Sequence, residues 1–161
     1  MNELQKMIDQ SNYIVFIGGA GTSTDCGIPD FRGNNGLYSK GERNNYKWPP
    51  EVMLSHKFYV EHPNEFFDFY REKMIFSDVE PNELHFKLVE LEKAGKLKTI
   101  ITQNIDGLHQ KAGSNNVIEV HGTSNYNYCR RCEKVYDSEF IKNTTGIPRC
   151  DCGGIIRPKV V

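Results

Sequence analysis

The chain has 161 residues, 38% of them hydrophobic, with a formal net charge of −1. That length suits one domain with room for a small inserted module. The near-neutral balance offers no broad field to attract nucleic acid or an anionic membrane surface, and no apolar run approaches the ~20 residues of a membrane span.

The opening Met-Asn-Glu-Leu-Gln-Lys-Met lacks the basic-then-apolar plan of a signal peptide. The cytoplasm is therefore the expected compartment, and disulfides are disfavoured there. Leu4, Met7 and Ile8 recur at helical spacing, and Ser11-Asn12 ends that pattern. Residues 13–17 are a β-rich apolar run stopped by Gly18-Gly19, which reads as a buried strand feeding a glycine loop. Residues 33–50 form a long stretch of Gly, Asn, Lys, Tyr and Pro without periodicity. Helices resume after Pro50. Phe66, Tyr70 and Met74 share one face at four-residue steps, flanked by Phe67 and Phe69, a pattern most often plain core. Pro81-Asn82 starts the next helix, where Leu84, Leu88 and Leu91 stripe one side and Gly95 suits a C-terminal cap. Residues 99–102 and 117–120 are further β-branched runs, with a helix-like segment at 108–112 between them. This alternation predicts an α/β sheet with parallel pairing. The expected internal boundary lies at 124–128, just before the cysteines begin.

The segment Gly-Ala-Gly-Thr-Ser at residues 19–23 follows the first strand. A strand that ends in glycines and turns into a helix presents free backbone N–H groups and partial positive charge, a natural seat for phosphate. Gly19 and Gly21 would let a phosphate approach the main chain closely. The pattern departs from G-x-G-x-x-G because Thr24 occupies the last glycine position. Taken alone, the loop is a weak signal with a tight strand-to-helix turn as its plain alternative, and Ser23 and Thr24 serve equally as helix caps or as phosphate ligands.

Cys129-x-x-Cys132 and Cys150-x-Cys152 stand 17 residues apart. Two tight pairs at such a distance suit a tetrahedral thiolate cage for Zn2+, and four protein ligands leave no open position, so the metal would be structural. Gly153-Gly154 suits the sharp turn of a zinc knuckle. Reduced pairs or disulfides are the alternative. Arg130, Arg131, Lys134 and Arg149 crowd this module; charge balance is the plainer reading and nucleic-acid contact the other. His121 closes the third strand, a position that in isolation suits a surface or capping histidine.

Three motifs then acquire a common meaning. Residues 19–33 (GAGTSTDCGIPDFRG), residues 102–113 (TQNIDGLHQKAG) and the isolated His121-Gly122 before paired cysteines together resemble the sirtuins, NAD-dependent protein lysine deacylases. The resemblance covers nearly the whole chain. It implies a Rossmann-like parallel sheet with a small four-cysteine zinc module, divided as 1–123 for the NAD-binding part, 124–157 for the zinc module, and 158–161 for a return to the sheet. It implies that Ala20 and Gly21 cradle the pyrophosphate of NAD, with Thr24 close by. Asp30, Phe31 and Arg32 match the mobile cofactor loop, in which Phe31 hinders nicotinamide from returning and Arg32 contacts phosphate or holds the loop. Gln103 and Asn104 match residues around the nicotinamide ribose, Ile105 and Asp106 the pocket for the nicotinamide carboxamide, and His121 the catalytic base. His56, His62, His85 and His109 are left as structural, although His109 lies inside a matched motif. Cys26 stands where the family usually has serine and is expected to be a small buried thiol.

The implied reaction takes NAD and an acyl-lysine protein or peptide to nicotinamide, O-acyl-ADP-ribose and free lysine. An imidazole suits deprotonation of a ribose hydroxyl because this side-chain class titrates near neutral pH. Family members that prefer acidic acyl groups place arginine three residues after a tyrosine; here Tyr70 is followed by Lys73, so acetyl or a longer apolar acyl group is expected. The chain stops at Val161, whereas the family continues with part of the peptide groove and the second half of the dinucleotide sheet. An incomplete sheet and an inactive or partial fragment are therefore expectations too. Two other functions remain open from sequence: a non-catalytic zinc-ribbon binding module, and an NAD-dependent protein ADP-ribosyltransferase.

Overall fold

The computed structural model describes residues 3–43 and 45–160. Three β-branched runs become the parallel strands β1 (Ile14–Gly18), β2 (Leu97–Thr102) and β3 (Val117–Glu119), in the order β1-β2-β3. Phe16 lies beside Ile100, and Ile101 beside Ile118. β2 begins two residues before the expected start, because Leu97 is itself buried beneath the sheet. One face packs Phe16, Leu97 and Ile100 against Leu88 and Leu91. On the other face Val15, Ile17 and Ile118 stay 44%, 71% and 51% exposed. A parallel sheet normally has both faces covered; among the described residues only one is. The expected half-sheet is therefore what the strands form.

Helix α1 (Glu3–Gln10) forms where the spacing placed it, yet buries none of its residues. Its end is tied down by polar contacts, with Lys96 Nζ donating to the carbonyls of Ile8 and Asp9 at 2.9 and 2.8 Å. The irregular segment after Gly33 carries the short α2 (Lys40–Arg43). Helices α3 (Pro50–Met53), α4 (His56–Glu61) and α5 (Pro63–Lys73) follow. Ser55 caps α4 by accepting from Phe58 N at 3.1 Å, and Pro63 opens α5 at a position that needs no N–H. The aromatic face of α5 is core, as its spacing predicts: Phe66, Phe67, Phe69 and Tyr70 are all buried. Each such side chain is worth roughly 1.5–3 kcal/mol of burial.

Helix α6 (Glu83–Lys93) opens with a capping box, Asn82 Oδ1 accepting from His85 N at 3.2 Å while the His85 ring reaches back to Asn82 N. That box turns His85 inward. The buried face is therefore His85, Leu88 and Val89, and Leu84 is 40% exposed, which corrects the expected Leu84–Leu88–Leu91 stripe at its first member. Gly95 ends α6 at φ +72°, with Lys96 N donating to Leu91 O and Gly95 N to Glu92 O, a Schellman closure. Helix α7 (Leu108–Ala112) links β2 to β3.

A second, antiparallel sheet has the order β5-β4-β6, from β4 (Gly122–Cys129), β5 (Val135–Tyr136) and β6 (Ile156–Val160). α8 (Ser138–Lys142) lies between β5 and β6 in the chain. β4 spans 124–128 but its pairing with β6 shifts register between Thr123 and Asn127, so a bulged strand rather than a linker joins the two expected parts. One core holds α3–α5 against this sheet: Phe58, Phe66 and Tyr70 share a cluster with Ile141 and Ile156. Residues 158–160 continue β6 and pair with β4 instead of entering the parallel sheet. Gly122 makes that pairing possible, since a Cβ there would stand 2.0 Å from Lys159 O.

Candidate functional site

The loops after β1, β2 and β3 all begin at the same edge of the parallel sheet, where ligands of open α/β sheets bind. Gln103 N donates to Gly18 O at 3.0 Å and Val120 N to Thr102 O at 3.0 Å, which locks the three strand ends together. Above them lies a cleft of about 640 Å³. Ala20, Gly21, Asp30, Phe31, Arg32, Gln103, Asn104, Ile105, Asp106 and His121 all line it. Thr24 does not; it faces a smaller hollow beside Gly27 and Pro29, its hydroxyl 3.2 Å from Gly21 O.

The glycine loop departs from expectation in one respect. It turns into two 3-10 turns, Ala20–Thr22 and Thr24–Cys26, rather than an α-helix. Gly27 at φ +88° and the following Ile28-Pro29 stop the coil. Any phosphate seat here therefore relies on local N–H groups more than on a helix dipole. Gly21 leaves that space open: nothing lies within 4 Å of where its Cβ would be.

Asp106 is fixed from both sides. Its Oδ2 accepts from Ser23 Oγ at 2.8 Å and its Oδ1 from Leu108 N at 2.9 Å. Asn104 Nδ2 donates to Thr22 Oγ1 at 2.9 Å and Ser23 Oγ at 3.1 Å. Asn82 Nδ2 ties in α6 by donating to Thr22 O at 2.9 Å. Ser23 is fully buried and joins two loops 83 residues apart. The sequence offers Ser23 as a cap or phosphate ligand; its position as a strut behind Asp106 depends on a long-range contact that no local signal carries. Ile105 is held by Ser124, whose backbone N and Oγ both donate to its carbonyl, at 3.0 and 2.8 Å.

His121 is exposed, with Nδ1 3.1 Å from Gln103 O. A carbonyl only accepts, so this contact puts a proton on Nδ1; in the neutral ring the lone pair is then on Nε2, the form a general base needs. Behind the cleft, His85 and His109 are buried with ring centroids 4.7 Å apart. Burial first, then His85, pushes the His109 pKa down to about 4, against the pull of Asp106. Burial likewise lowers that of His85. Both are neutral core residues at neutral pH, as expected.

The cleft has an apolar limb walled by Tyr59, Phe66, Tyr70 and Met74, with Lys73 and Arg157 at its lining, so the α5 face serves both core and cleft. Tyr38 lines it too. Cys26 is half-buried, and burial raises its pKa.

The four remaining cysteines converge, all sulfurs within 4.8 Å of one another. Cys129–Cys152 and Cys132–Cys150 Sγ distances are both 3.5 Å. A zinc thiolate tetrahedron with ~2.3 Å bonds has edges near ~3.8 Å, so these ligands fit Zn2+. Disulfide bonding does not fit that spacing, since bonded sulfurs lie about 2.05 Å apart. Arg131 N also donates to Cys129 Sγ at 3.3 Å. The nearby cations brace the module: Lys134 pairs with Asp151 at 2.7 Å and Arg131 Nη1 donates to Cys152 O at 2.8 Å. No helix among the described residues is long and apolar enough to cross a membrane.

Comparison with known proteins agrees with this geometry. A profile described as the Sir2 family matches residues 19–161. The NAD-dependent protein deacetylase of Clostridium acetobutylicum is 58% identical over 163 residues, covering 100% of this chain and 66% of that protein. That of Clostridium tetani is 56% identical over 160 residues, covering 98% of this chain and 64% of that protein. A solved Sir2–p53 peptide–NAD+ complex superposes with a TM-score of 0.81 at 41% identity, over 100% of this chain and 63% of that one. The chain thus spans about two thirds of the length of the curated relatives it matches.

Proposed function

Because the chain belongs to the Sir2 family, we propose that it carries the catalytic part of an NAD-dependent protein lysine deacylase. One observation supports this reading above the others: Ala20 and Gly21, Asp106, and His121 line a single cleft at the ends of the parallel strands.

In this reading NAD supplies a nicotinamide–ribose bond that is broken as the acyl-lysine amide oxygen takes the ribose carbon and nicotinamide leaves; a deprotonated ribose hydroxyl then attacks the resulting imidate, and one water completes cleavage of its C–N bond to free lysine and O-acyl-ADP-ribose. The chain's own residues do the rest. Ala20 and Gly21 hold the pyrophosphate through main-chain N–H groups, on an open surface that a side chain at Gly21 would obstruct. Asp106, pinned by Ser23 and by Leu108 N, grips the carboxamide in one orientation, with Ile105 beside it. A carboxylate already held in place costs little reorganisation when charge develops nearby. Gln103 and Asn104 face the ribose, and Arg32 with Asp30 borders the phosphates. Nε2 of His121 takes a proton from a ribose hydroxyl, its Nδ1–H held by Gln103 O. Phe31 screens the nicotinamide side. The apolar limb walled by Tyr59, Phe66 and Tyr70 takes the acyl-lysine side chain, with acetyl or a longer apolar acyl group preferred. Zn2+ on Cys129, Cys132, Cys150 and Cys152 is structural, because four thiolates complete its shell. We read residues 1–123 and 124–157 as the NAD-binding and zinc parts of this catalytic unit, acting in the cytoplasm.

The test is incubation of the chain with NAD and an acetyl-lysine peptide, with products weighed by mass spectrometry. Free lysine peptide together with O-acetyl-ADP-ribose is the expected result. ADP-ribose on a protein acceptor with the acetyl group intact, or no NAD consumption by a metal-loaded folded chain, would refute the reading.

A further inference from the structure

Residues 30–38 close on themselves beside the cleft. Leu37 N donates to Asp30 O at 2.7 Å and Tyr38 N to Phe31 O at 2.8 Å, so the two ends of the loop are clamped. Inside it, Asp30 Oδ1 accepts from Gly33 N at 2.8 Å and Gly33 O from Gly36 N at 2.9 Å. A Cβ on Gly36 would stand 2.6 Å from Asp30 Oδ1 and 2.7 Å from the Phe31 carbonyl carbon. Glycine is therefore what lets the loop close. Its C-terminal end is anchored, since Leu37 is buried in the large aromatic core and Tyr38 packs against the same cluster.

The clamp sets the backbone of Phe31 but leaves its ring free to rotate about χ1 and χ2. Phe31 is 37% exposed at the cleft wall, and a partly exposed aromatic on a glycine-rich loop samples several rotamers unless something packs on it. The Tyr38 ring does. The two centroids are 5.2 Å apart with the planes inclined at 52°, within the range favoured by aromatic pairs. Tyr38 is the better-held member. Burial is the main cause that raises its hydroxyl pKa, with Glu51 adding and Arg32 opposing.

We propose that Tyr38 is a positioning residue: its ring, clamped to the core, holds the Phe31 ring at the cleft wall and so sets how well Phe31 screens that side of the site. The inference rests on the function proposed above for what Phe31 screens, and on geometry alone for the latch. An aromatic pair biases a rotamer equilibrium by roughly two- to tenfold. The hydroxyl is not part of the ring contact, so phenylalanine at position 38 should serve and leucine should not.

The test places 4-fluorophenylalanine at position 31 and reads its 19F resonance in the full metal-loaded chain. The unsubstituted chain should give a shift displaced from that of a free peptide, with Phe31–Tyr38 ring NOEs. Tyr38→Leu should move the resonance toward the peptide value, and Tyr38→Phe should restore it. The second readout is the partition between nicotinamide exchange into NAD and release of deacetylated peptide. Tyr38→Leu should raise exchange relative to release by roughly two- to tenfold, with Tyr38→Phe returning it; a merely structural role would lower both together. Absence of the ring NOEs in the unsubstituted chain overturns the latch even if the leucine variant misfolds, as does a 19F shift indifferent to Tyr38→Leu. A chain that consumes no NAD yet keeps the NOEs and the 19F response defeats the proposed function and leaves the latch standing.

Discussion

The cysteine cluster and the cleft are assembled in opposite ways. The cluster is local: Cys129 and Cys152, at its two extremes, are 23 residues apart, and turns at Glu133 and Gly153 bring the pairs together. The cleft is global. Its struts span 83 residues between Ser23 and Asp106, and its walls come from the glycine loop, α4 and α5, the β2 end and β6. The first arrangement ties its integrity to a metal, the second to the sheet and the aromatic core. A metal centre should therefore fail all at once and the cleft by degrees.

The sharpest way to break this comparison is Cys129→Ser. Metal binding by a four-thiolate site is folding free energy of about 10–16 kcal/mol. Zinc content measured by mass spectrometry should fall from one per chain to near zero, and the melting midpoint should drop by on the order of 10 °C or more. Because Ile141 and Ile156 share a core with Phe66 and Tyr70, NAD affinity should fall as well. Retained affinity in the metal-free variant would show that the regions are independent.

His121→Ala should act on chemistry alone. The ring is exposed, so its removal should leave the melting midpoint and calorimetric NAD affinity unchanged while deacetylation falls by ~10²–10⁴. Unaltered turnover would remove the imidazole from the reaction.

The third prediction concerns acid. His109 is held down to about 4 in the folded chain, against about 6.5 unfolded. The unfolded chain therefore takes up the proton first. This contribution to stability is complete above about pH 6.5, falls as pH drops from there, and is fully lost below about pH 4, a change on the order of 3 kcal/mol. Chemical denaturation across that window should show the loss, and His109→Gln should flatten it. A curve that stays equally steep in the variant would place the acid sensitivity elsewhere.

The smallest effect should come from Ser23→Ala. It deprives Asp106 and Asn104 of a buried partner, a cost of about 1–3 kcal/mol. NAD affinity should weaken by roughly five- to 150-fold with the zinc content intact. An unchanged affinity would mean that Leu108 N alone suffices to orient Asp106.

Much of this was legible in the chain itself. The zinc cluster followed from spacing because its geometry is set within a short segment. The three parallel strands followed from β-branched runs, and the aromatic face of α5 from four-residue periodicity. Where expectation and structure part, capping, turn geometry or a missing packing surface overrode residue spacing. Leu84 left the stripe because the Asn82–His85 box rotated the inner face of α6. The glycine loop curled into 3-10 turns because Gly27 and Pro29 interrupt it. Thr24 turned to a separate hollow. α1 formed with nothing to bury it, since its apolar residues met no packing surface among the described residues.

Composition, periodicity and cysteine spacing by themselves determined the α/β class and the four-cysteine cluster, because each of those is encoded in residue type and short-range spacing. Only the tertiary structure decided that the ends of three strands share one rim, that Ser23 stands behind Asp106, which nitrogen of His121 faces a carbonyl, and that Tyr38 lies on Phe31. Those facts are distances between residues far apart in the chain, and distance of that kind exists only once the sheet has closed and the core has packed.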